Sequence, residues 1–401
     1  MKKLLIIAEQ FYPYINANIN CMYKIIDGLQ KKDFSVSVLT VSYQDNLPVE
    51  DEYYGCKIYR IAVPEIDKVD KLLYRDKIIN NKLLRLVRGG IGHFAFKYTD
   101  KLKEKRTSKI SEKLIKENFD YILSIINPSG AHETAYNFVD EDMKWIMYNL
   151  DAFVFNYSYS GGEEQRRIQE EKWCTKAKAV INTFGIVQEN ERHSYNPYNG
   201  MKQLEIPLPN FEISRQENAS AGKRQSGKII MRYTGMFYSN IRRPDELMKI
   251  LDKLDPEVYT VEFYGPCCDY VRLHFENLPK CLELKGSVSV EKCKELVDST
   301  DVLINVGNLC PNQTPSKVFE YIASGKPIIN FYSTEKDPSL IYFEKYPHIL
   351  SIKDADSVEE SDIRKFVSES GTVPVDEIRD IYKDYLREKV IDKIVSFIDE
   401  L

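Results

Sequence analysis

Two runs of alternating strand and helix signals, separated by a single polar interruption, constrain this chain more than any other feature. In the first run, short β-branched or apolar segments at 4–8, 35–40, 57–62, 121–125, 145–147 and 179–182 are spaced by helical patterns such as 20–31. The pattern stops over 207–228, where Pro207-Leu208-Pro209-Asn210 leads into a stretch of Ser, Arg, Gln, Glu, Asn and Gly. It then resumes with strands at 229–234, 260–264, 281–285, 302–306 and 327–331, and helices at 244–254, 289–299 and 316–324. Short strands separated by helical patterns predict parallel sheets covered by helices on both faces. The expected fold class is therefore α/β, with two Rossmann-like domains facing each other across a cleft. The boundaries read from the sequence are an N-terminal domain over 1–206, a linker over 207–228, a C-terminal domain over 229–374 and a closing helical stretch over 375–401. A length of 401 residues suits two domains rather than one. Open α/β folds bind ligands outside the carboxyl ends of their strands, so the cleft is the expected site.

Composition removes several classes of function. Mean hydropathy is −0.41, and no uncharged apolar run approaches the ~20 residues that a membrane-spanning helix needs. Lys2-Lys3 followed by Leu4-Leu5-Ile6-Ile7-Ala8 has the outline of a signal peptide, but Glu9 and Gln10 cut the apolar stretch short, and it reads as a buried first strand. The 8 cysteines include no Cys-x-x-Cys pair and no His at zinc-ligand spacing, which predicts reduced thiols in the cytoplasm. The adjacent Cys267-Cys268 reads as a pair of small buried groups. There is no Gly-x-Ser-x-Gly elbow, no His-Glu-x-x-His and no Asp-x-Asp placed as a metal site, so neither hydrolase nor metal-dependent chemistry is supported.

Charge is uneven. Residues 68–116 hold 15 Lys and Arg against 5 acids in a chain whose net charge is −5. Leu83-Leu84-Arg85-Leu86-Val87-Arg88, with Phe94 and Phe96 nearby, mixes basic and apolar residues as surfaces that rest on anionic bilayers do. A solvated face on long helices is the other reading. No nucleic-acid motif accompanies the patch, and nucleic acid is not an expected partner.

The segment from Asn312 to Ile329 carries the most chemistry. Pro315 and Ser316 stand where a helix should begin, with Ser316 as its expected cap, and Gly325 stands where it should stop. A helix N-terminus offers free N–H groups and partial positive charge, which suit a diphosphate. Lys317 adds a full charge, and Glu320, one turn on, can accept two vicinal hydroxyls of a ribose. An ordinary capped helix satisfies the same spacing.

Pro315-Ser316-Lys317-Val318-Phe319-Glu320-Tyr321 followed by Gly325-Lys326-Pro327 resembles the donor-binding helix of retaining glycosyltransferases of the GT-B fold, family 4 and its capsule and exopolysaccharide relatives. The resemblance extends through Tyr233-Thr234-Gly235-Met236, Arg242-Arg243-Pro244, Phe263-Tyr264-Gly265, Leu284-Lys285-Gly286-Ser287-Val288 and Ser299-Thr300-Asp301-Val302-Leu303-Ile304. In the first half it includes Phe11-Tyr12-Pro13-Tyr14 and Val36-Ser37-Val38-Leu39-Thr40. It implies that Glu320 binds the ribose of a nucleotide-sugar. Ser316 and Lys317 would sit at the diphosphate, clamped by Arg242 or Arg243, and Thr314, Pro315 and Gly235 would belong to the same donor site. The backbone from Gly286 to Val288 would hold the base. It also implies that 375–401 packs back on the N-terminal domain.

The chain departs from the family pattern at three places. Asn312 replaces a second Glu that the family places near the sugar, eight residues before the first. Asn16-Ala17-Asn18 replaces a Gly-Gly pair in the first loop, and Asn127-Pro128-Ser129 replaces a His-bearing loop, with His132 slightly later. Expected catalytic residues are thus Arg242, Lys317 and Asn312, and expected acceptor-side residues are Asn16, Asn18, Asn127, His132 and Asp151. The implied activity is transfer of a sugar from a nucleotide-sugar, UDP-linked by expectation, to a hydroxyl of a lipid-linked saccharide or polysaccharide precursor, as in capsule, O-antigen or exopolysaccharide assembly. The implied reaction retains configuration and needs no metal and no cofactor. The expected location is the cytoplasm, with residues 68–116 against the inner face of the plasma membrane. Two alternatives stay open: a catalytically silent nucleotide-sugar-binding partner subunit, and a GT-B-fold epimerase acting on UDP-N-acetylhexosamine.

Overall fold

The structure, a computed structural model, describes residues 1–14, 16–42, 44, 47–63, 65, 110–126, 130–157, 161–213 and 227–401. Most of the basic segment 68–116, the centre of the polar interruption and Asn127 lie outside the described residues.

The first sheet contains β1 (Lys2–Ala8), β2 (Phe34–Ser42), β3 (Glu50–Tyr53), β4 (Cys56–Ala62), β5 (Tyr121–Ile126), β6 (Trp145–Asn149), β7 (Ala179–Thr183) and β8 (Lys202–Ile206). Their order is β3-β4-β2-β1-β5-β6-β7-β8, and only the β3–β4 pair is antiparallel. The second sheet contains β9 (Ile229–Thr234), β10 (Tyr259–Tyr264), β11 (Leu282–Gly286), β12 (Val302–Val306), β13 (Ile328–Phe331) and β14 (Ile349–Ile352) in the all-parallel order β11-β10-β9-β12-β13-β14. The central strands are continuous apolar runs because a parallel sheet sandwiched by helices is buried on both faces. Leu4, Leu5 and Ile6 in β1 and Val302 and Leu303 in β12 are accordingly 0% exposed.

In chain order the second sheet reads 3-2-1-4-5-6, and the sequence direction reverses between β9 and β12. The first sheet reverses in the same way between β1 and β5. These are the points where consecutive connections leave toward opposite faces and open a crevice at the strand ends.

The helices described are α1 (Ala17–Gln30), α2 (Gly130–Phe138), α3 (Glu163–Cys174), α4 (Ile186–Arg192), α5 (Asp245–Lys253), α6 (Cys267–His274), α7 (Val290–Asp298), α8 (Lys317–Ser324), α9 (Leu340–Phe343), α10 (Glu360–Glu369), α11 (Val375–Ile381) and α12 (Arg387–Asp399). The closing stretch is two helices rather than the single run its composition suggests. Between α11 and α12 the chain turns because Tyr382 and Tyr385 dock on Tyr342, the Tyr382 hydroxyl donating to the Tyr342 carbonyl at 2.6 Å. The Arg387 N–H donates to the Phe211 carbonyl at 2.7 Å.

Past that turn, α12 lies against α1 of the first sheet's layer. Gly28 makes the approach feasible, since a Cβ there would stand 2.5 Å from Ile391 Cγ1. Ion pairs from Lys32 to Asp392, Lys2 to Asp399 and Lys202 to Glu400 fringe the contact, and Arg387 meets Asp27 and Glu212. Such exposed pairs add little beside the buried apolar seam. Replacing Gly28→Val forces α12 off α1 and should lower the unfolding free energy by roughly 1–3 kcal/mol. Urea denaturation followed by circular dichroism measures it, and an unchanged midpoint would contradict this packing.

Candidate functional site

Where β9 and β12 diverge, the strands end on glycines and short polar loops. Gly265, at φ +111, follows β10, and a Cβ on it would lie 2.5 Å from the Gly235 carbonyl oxygen, so two strand ends approach more closely than any side chain allows. Gly265 in turn donates its N–H to the Gly286 carbonyl at 2.8 Å.

The loop after Gly235 is cinched by paired backbone bonds, Tyr238 N–H to Arg242 O and Arg242 N–H to Tyr238 O, each 2.9 Å. That turn aims the Arg242 guanidinium at the next loop, where its Nε donates to Asn308 Oδ1 at 3.0 Å. Leu309 N–H donates to the Ile241 carbonyl at 2.7 Å, so the two loops move as one piece. Beneath them Asp337 is 2% exposed, with Oδ1 accepting from the Ser339 N–H at 2.9 Å and hydroxyl at 2.8 Å. Its Oδ2 fills the space a Cβ on Gly307 would need. Burial pushes its carboxyl up to about 6, opposed by the Ser339 hydrogen bonds and the Arg242 charge.

Helix α8 starts beside these loops. Ser316 occupies the cap position, but its hydroxyl makes no capping bond because its backbone is already helical, at φ −63 and ψ −25, which corrects the expected side-chain cap. Gly325 stops the helix at φ +70, as its position suggested. Lys317 and Glu320 form an ion pair of 2.6 Å with both side chains about a third exposed, 31% and 33%. Tyr321, on the buried face, accepts from the Thr234 N–H at 3.2 Å and meets its hydroxyl at 3.1 Å, fixing α8 to the end of β9. From α1, Lys24 lies within the field of Glu320, and burial lowers its pKa against the opposing charges of Glu212 and Glu320.

Asn308 Nδ2 also donates to the Gln313 carbonyl at 2.5 Å, so Arg242 and Gly235 share one rim with Thr314, Pro315, Ser316, Lys317 and Glu320. Arg243 is not among them. Its side chain is half exposed and pairs with Asp245 at 3.3 Å. Gly286 is half-buried, and Val288, 39% exposed, stands beyond it at the far edge of the sheet. Sequence reasoning passed over Asn308, Asp337 and Lys24. Gly307-Asn308, directly after a fully buried strand at the reversal point, was the available signal for the first two.

On the facing domain, Asn16 is the cap of α1, its Oδ1 accepting from the Ile19 N–H at 2.9 Å, and Asn18 sits half-buried in the first turn. Asp151 follows β6 and is half-buried; burial, and to a smaller extent the Asp151 charge, raise the thiols of Cys21 in the first domain and Cys310 in the second. His132 is inside the domain, 1% exposed, with no ring nitrogen left for a substrate. Its Nδ1 accepts from the Ser124 hydroxyl at 2.7 Å, and its Nε2–H donates to Asn149 Oδ1 at 2.9 Å. The chain of bonds runs on from Asn149 to the Tyr198 hydroxyl at 3.0 Å and from Tyr198 to Glu170 at 2.8 Å. Asn312, expected beside a sugar, is 2% exposed and donates its Nδ2–H to the Phe155 carbonyl across the cleft at 2.9 Å.

Among the described residues no three His, Cys, Asp or Glu side chains are grouped to hold a metal ion, and no helix is long and apolar enough to cross a membrane.

No protein-family model matches the chain, and no curated protein matches it by sequence. Solved structures do match its fold. Sucrose-phosphate synthase from Thermosynechococcus elongatus aligns over 100% of this chain and 99% of its own, with 14% identity and a TM-score of 0.63. An E. coli structure described as trehalose-6-phosphate bound with UDP-2-fluoro glucose aligns over 100% and 99%, with 9% identity and a TM-score of 0.64. An alpha,alpha-trehalose-phosphate synthase (UDP-forming) from Burkholderia xenovorans, in complex with glucose-6-phosphate, aligns over 100% of both chains, with 10% identity and a TM-score of 0.63. At these identities the likeness concerns architecture: two Rossmann-like domains in the GT-B arrangement.

The buried His132 network makes a pH prediction. Burial lowers the His132 pKa from 6.5 to about 4, so the unfolded chain takes up a proton that the folded chain refuses. The stability tied to His132 is complete above about pH 6.5 and declines as pH falls toward 4, by up to roughly 3 kcal/mol. Glu170, which burial raises from 4.5 to about 7, has the opposite slope between those values. The His132 contribution is therefore read as the difference between wild type and His132→Gln. The gap in urea midpoint should narrow from pH 7 to pH 4.5, and a constant gap would refute the assignment.

Proposed function

We propose that this chain is a glycosyltransferase that takes a sugar from a nucleotide-sugar of the UDP class and places it on a hydroxyl of a saccharide acceptor. The observation that carries the reading is the rim formed by the start of α8, Lys317, Glu320 and Arg242 at the reversal point of the second sheet. In that reading the diphosphate lies at the α8 N-terminus, and the ribose hydroxyls reach Glu320. Arg242 and Lys317 take up the negative charge that grows on the diphosphate as the sugar leaves in an oxocarbenium-like state. The bond from Nε to Asn308 fixes the plane of the Arg242 guanidinium, and a planar fork of donors suits phosphate oxygens.

The ion pair between Lys317 and Glu320 is compatible with this exchange. Both partners are a third exposed, so separating them costs at most about 1 kcal/mol. A diphosphate on Lys317 and a ribose on Glu320 more than replace that bond. The UDP-containing and glucose-6-phosphate-containing structures of the same fold support a nucleotide-sugar donor and a saccharide acceptor. A lipid-linked saccharide acceptor, retention of configuration by attack on the face the diphosphate leaves, and independence from metal are parts of the same proposal. Asp151 is the acceptor-side carboxylate of the same proposal, since its charge is felt by a thiol of each domain, Cys21 and Cys310. The commitment of Asn312 to Phe155 favours one second reading, a nucleotide-sugar binder without turnover.

Calorimetric titration with UDP, GDP, ADP and CDP, without added metal, tests the donor site. One nucleotide should bind selectively, and Glu320→Ala should weaken it by roughly tenfold or more, the loss of two hydrogen bonds to a charged group. Absence of binding by all four would dismiss the donor site. Release of that nucleotide from its sugar derivatives in the presence of acceptor extract separates enzyme from binder.

A further inference from the structure

Asn312 is the residue whose environment differs most from what its position suggested. Its amide points across the cleft rather than along the rim, and its partner is a backbone carbonyl of the opposite domain, Phe155 O at 2.9 Å. Two further contacts close the same seam. Asn240 Nδ2 donates to the Tyr157 carbonyl at 3.0 Å, two residues along the same loop. Gly185, at φ +90, leads into α4 and lets the Pro311 carbonyl come within 2.5 Å of where a Cβ would stand, a fit that no other residue type permits. The three contacts join 311–312 and 240 of one domain to 155–157 and 185 of the other.

The receiving loop, 150–157, is stiff. Phe153 packs on Trp173 with ring centroids 4.7 Å apart, and Phe155 is stacked on His193 at 4.1 Å with the Arg167 guanidinium 4.9 Å from its ring. The Thr183 hydroxyl holds the Leu150 carbonyl at 2.9 Å. A pull on Phe155 therefore moves the whole loop, Asp151 included.

The chemistry at 312 is selective. Phe155 O can only accept, so its partner must donate, and an amide does so at every pH. An ionised carboxylate in the same place would set two acceptors against each other in a site that is 2% exposed to water. We propose that Asn312 is a positioning residue that latches the two domains together by holding loop 150–157, and that donation by its side chain is what the position requires. The latch concerns domain geometry and stands or falls independently of which nucleotide, if any, the rim binds.

Full-length wild type, Asn312→Asp and Gly185→Ala, compared by small-angle scattering and by hydrogen exchange at pH 8 and pH 5, test the latch. At pH 8, Asn312→Asp should show a larger radius of gyration than wild type and roughly tenfold faster exchange across 150–157, the loss of one buried bond. From pH 8 to pH 5 the penalty for protonating the acid as it enters the closed seam falls roughly a thousandfold, the protonated acid is a donor, and both readouts should return toward wild type. Gly185→Ala, which leaves the donor intact but blocks the seam, should be open at both pH values. The ionisable groups about the seam, Arg167, Arg192, His193, Glu189 and Asp151, with Glu205 on the Gly185 N–H and Cys310 on the other domain, are unchanged in both variants, so wild type at each pH corrects for them. Identity of Asn312→Asp with wild type at pH 8, or an opening that acid does not reverse, would overturn the proposal. Should Asn312→Asp fail to fold, a closed Gly185→Ala would overturn it equally.

Discussion

The placement of the cleft depends on Phe211. The ring is 1% exposed and sits where the chain leaves the first domain, 6.1 Å from Phe319 of α8 and 5.4 Å from Tyr382 of the returning segment. Its carbonyl receives the N–H of Arg387, which starts α12. Both crossings between the domains are thus pinned on one residue, and the apolar core of the first sheet's α1 face runs without a break into Val318, Phe319 and Ile322. Helix α8 belongs to the packed joint between the two domains. The helix that carries Lys317 and Glu320 is therefore also the helix that the first domain grips.

What α8 offers to a ligand follows from its two faces. Val318, Phe319, Tyr321 and Ile322 are 0–1% exposed and commit one side to the core. That leaves Lys317 and Glu320 together on the other side, one turn apart. Arg242 arrives from a different strand, and only the cinched turn from Tyr238 to Arg242 and the bond to Asn308 hold it over the same rim. Asp337 carries this arrangement from below. Any side chain at Gly307 would collide with its carboxylate, so the glycine and the buried acid specify each other.

Much of this was legible in the sequence because parallel strands are buried on both faces and announce themselves as apolar runs. β1, β5 and β12 are of that kind, while β2 alternates Ser and Thr with Val and β9 carries Arg232. β3 was not visible. Glu50-Asp51-Glu52-Tyr53 pairs only along a sheet edge, where charge is tolerated, and the Tyr54-Gly55 turn with positive φ at both residues is what makes the hairpin. The α8 rim could be read from local spacing, since cap position, Lys317, Glu320 and Gly325 fall within ten residues. Asp337 near Arg242 and Lys24 within the field of Glu320 could not, because only tertiary packing brings those charges near one another. Arg242 and Arg243 illustrate the limit well: adjacent and chemically alike, they are separated by a turn that sends one to Asn308 and the other to solvent.

The departures from the family pattern that lie among the described residues share a physical logic. Asn16 stands in a loop where glycines were expected and caps α1. Asn312 stands where an acid was expected and donates across the cleft. His132 stands late in its segment and bridges Ser124 to Asn149 inside the first domain. In each case the side chain has a short, directional hydrogen bond to a protein group, and for Asn312 and His132 burial makes that bond expensive to break. The bonds of Asn312 and His132 thus fix the seam and the first domain's interior, while that of the exposed Asn16 fixes the start of α1. Lys317, Glu320 and Arg242 differ in being only partly buried charges, and ion pairs of that kind exchange partners at small cost.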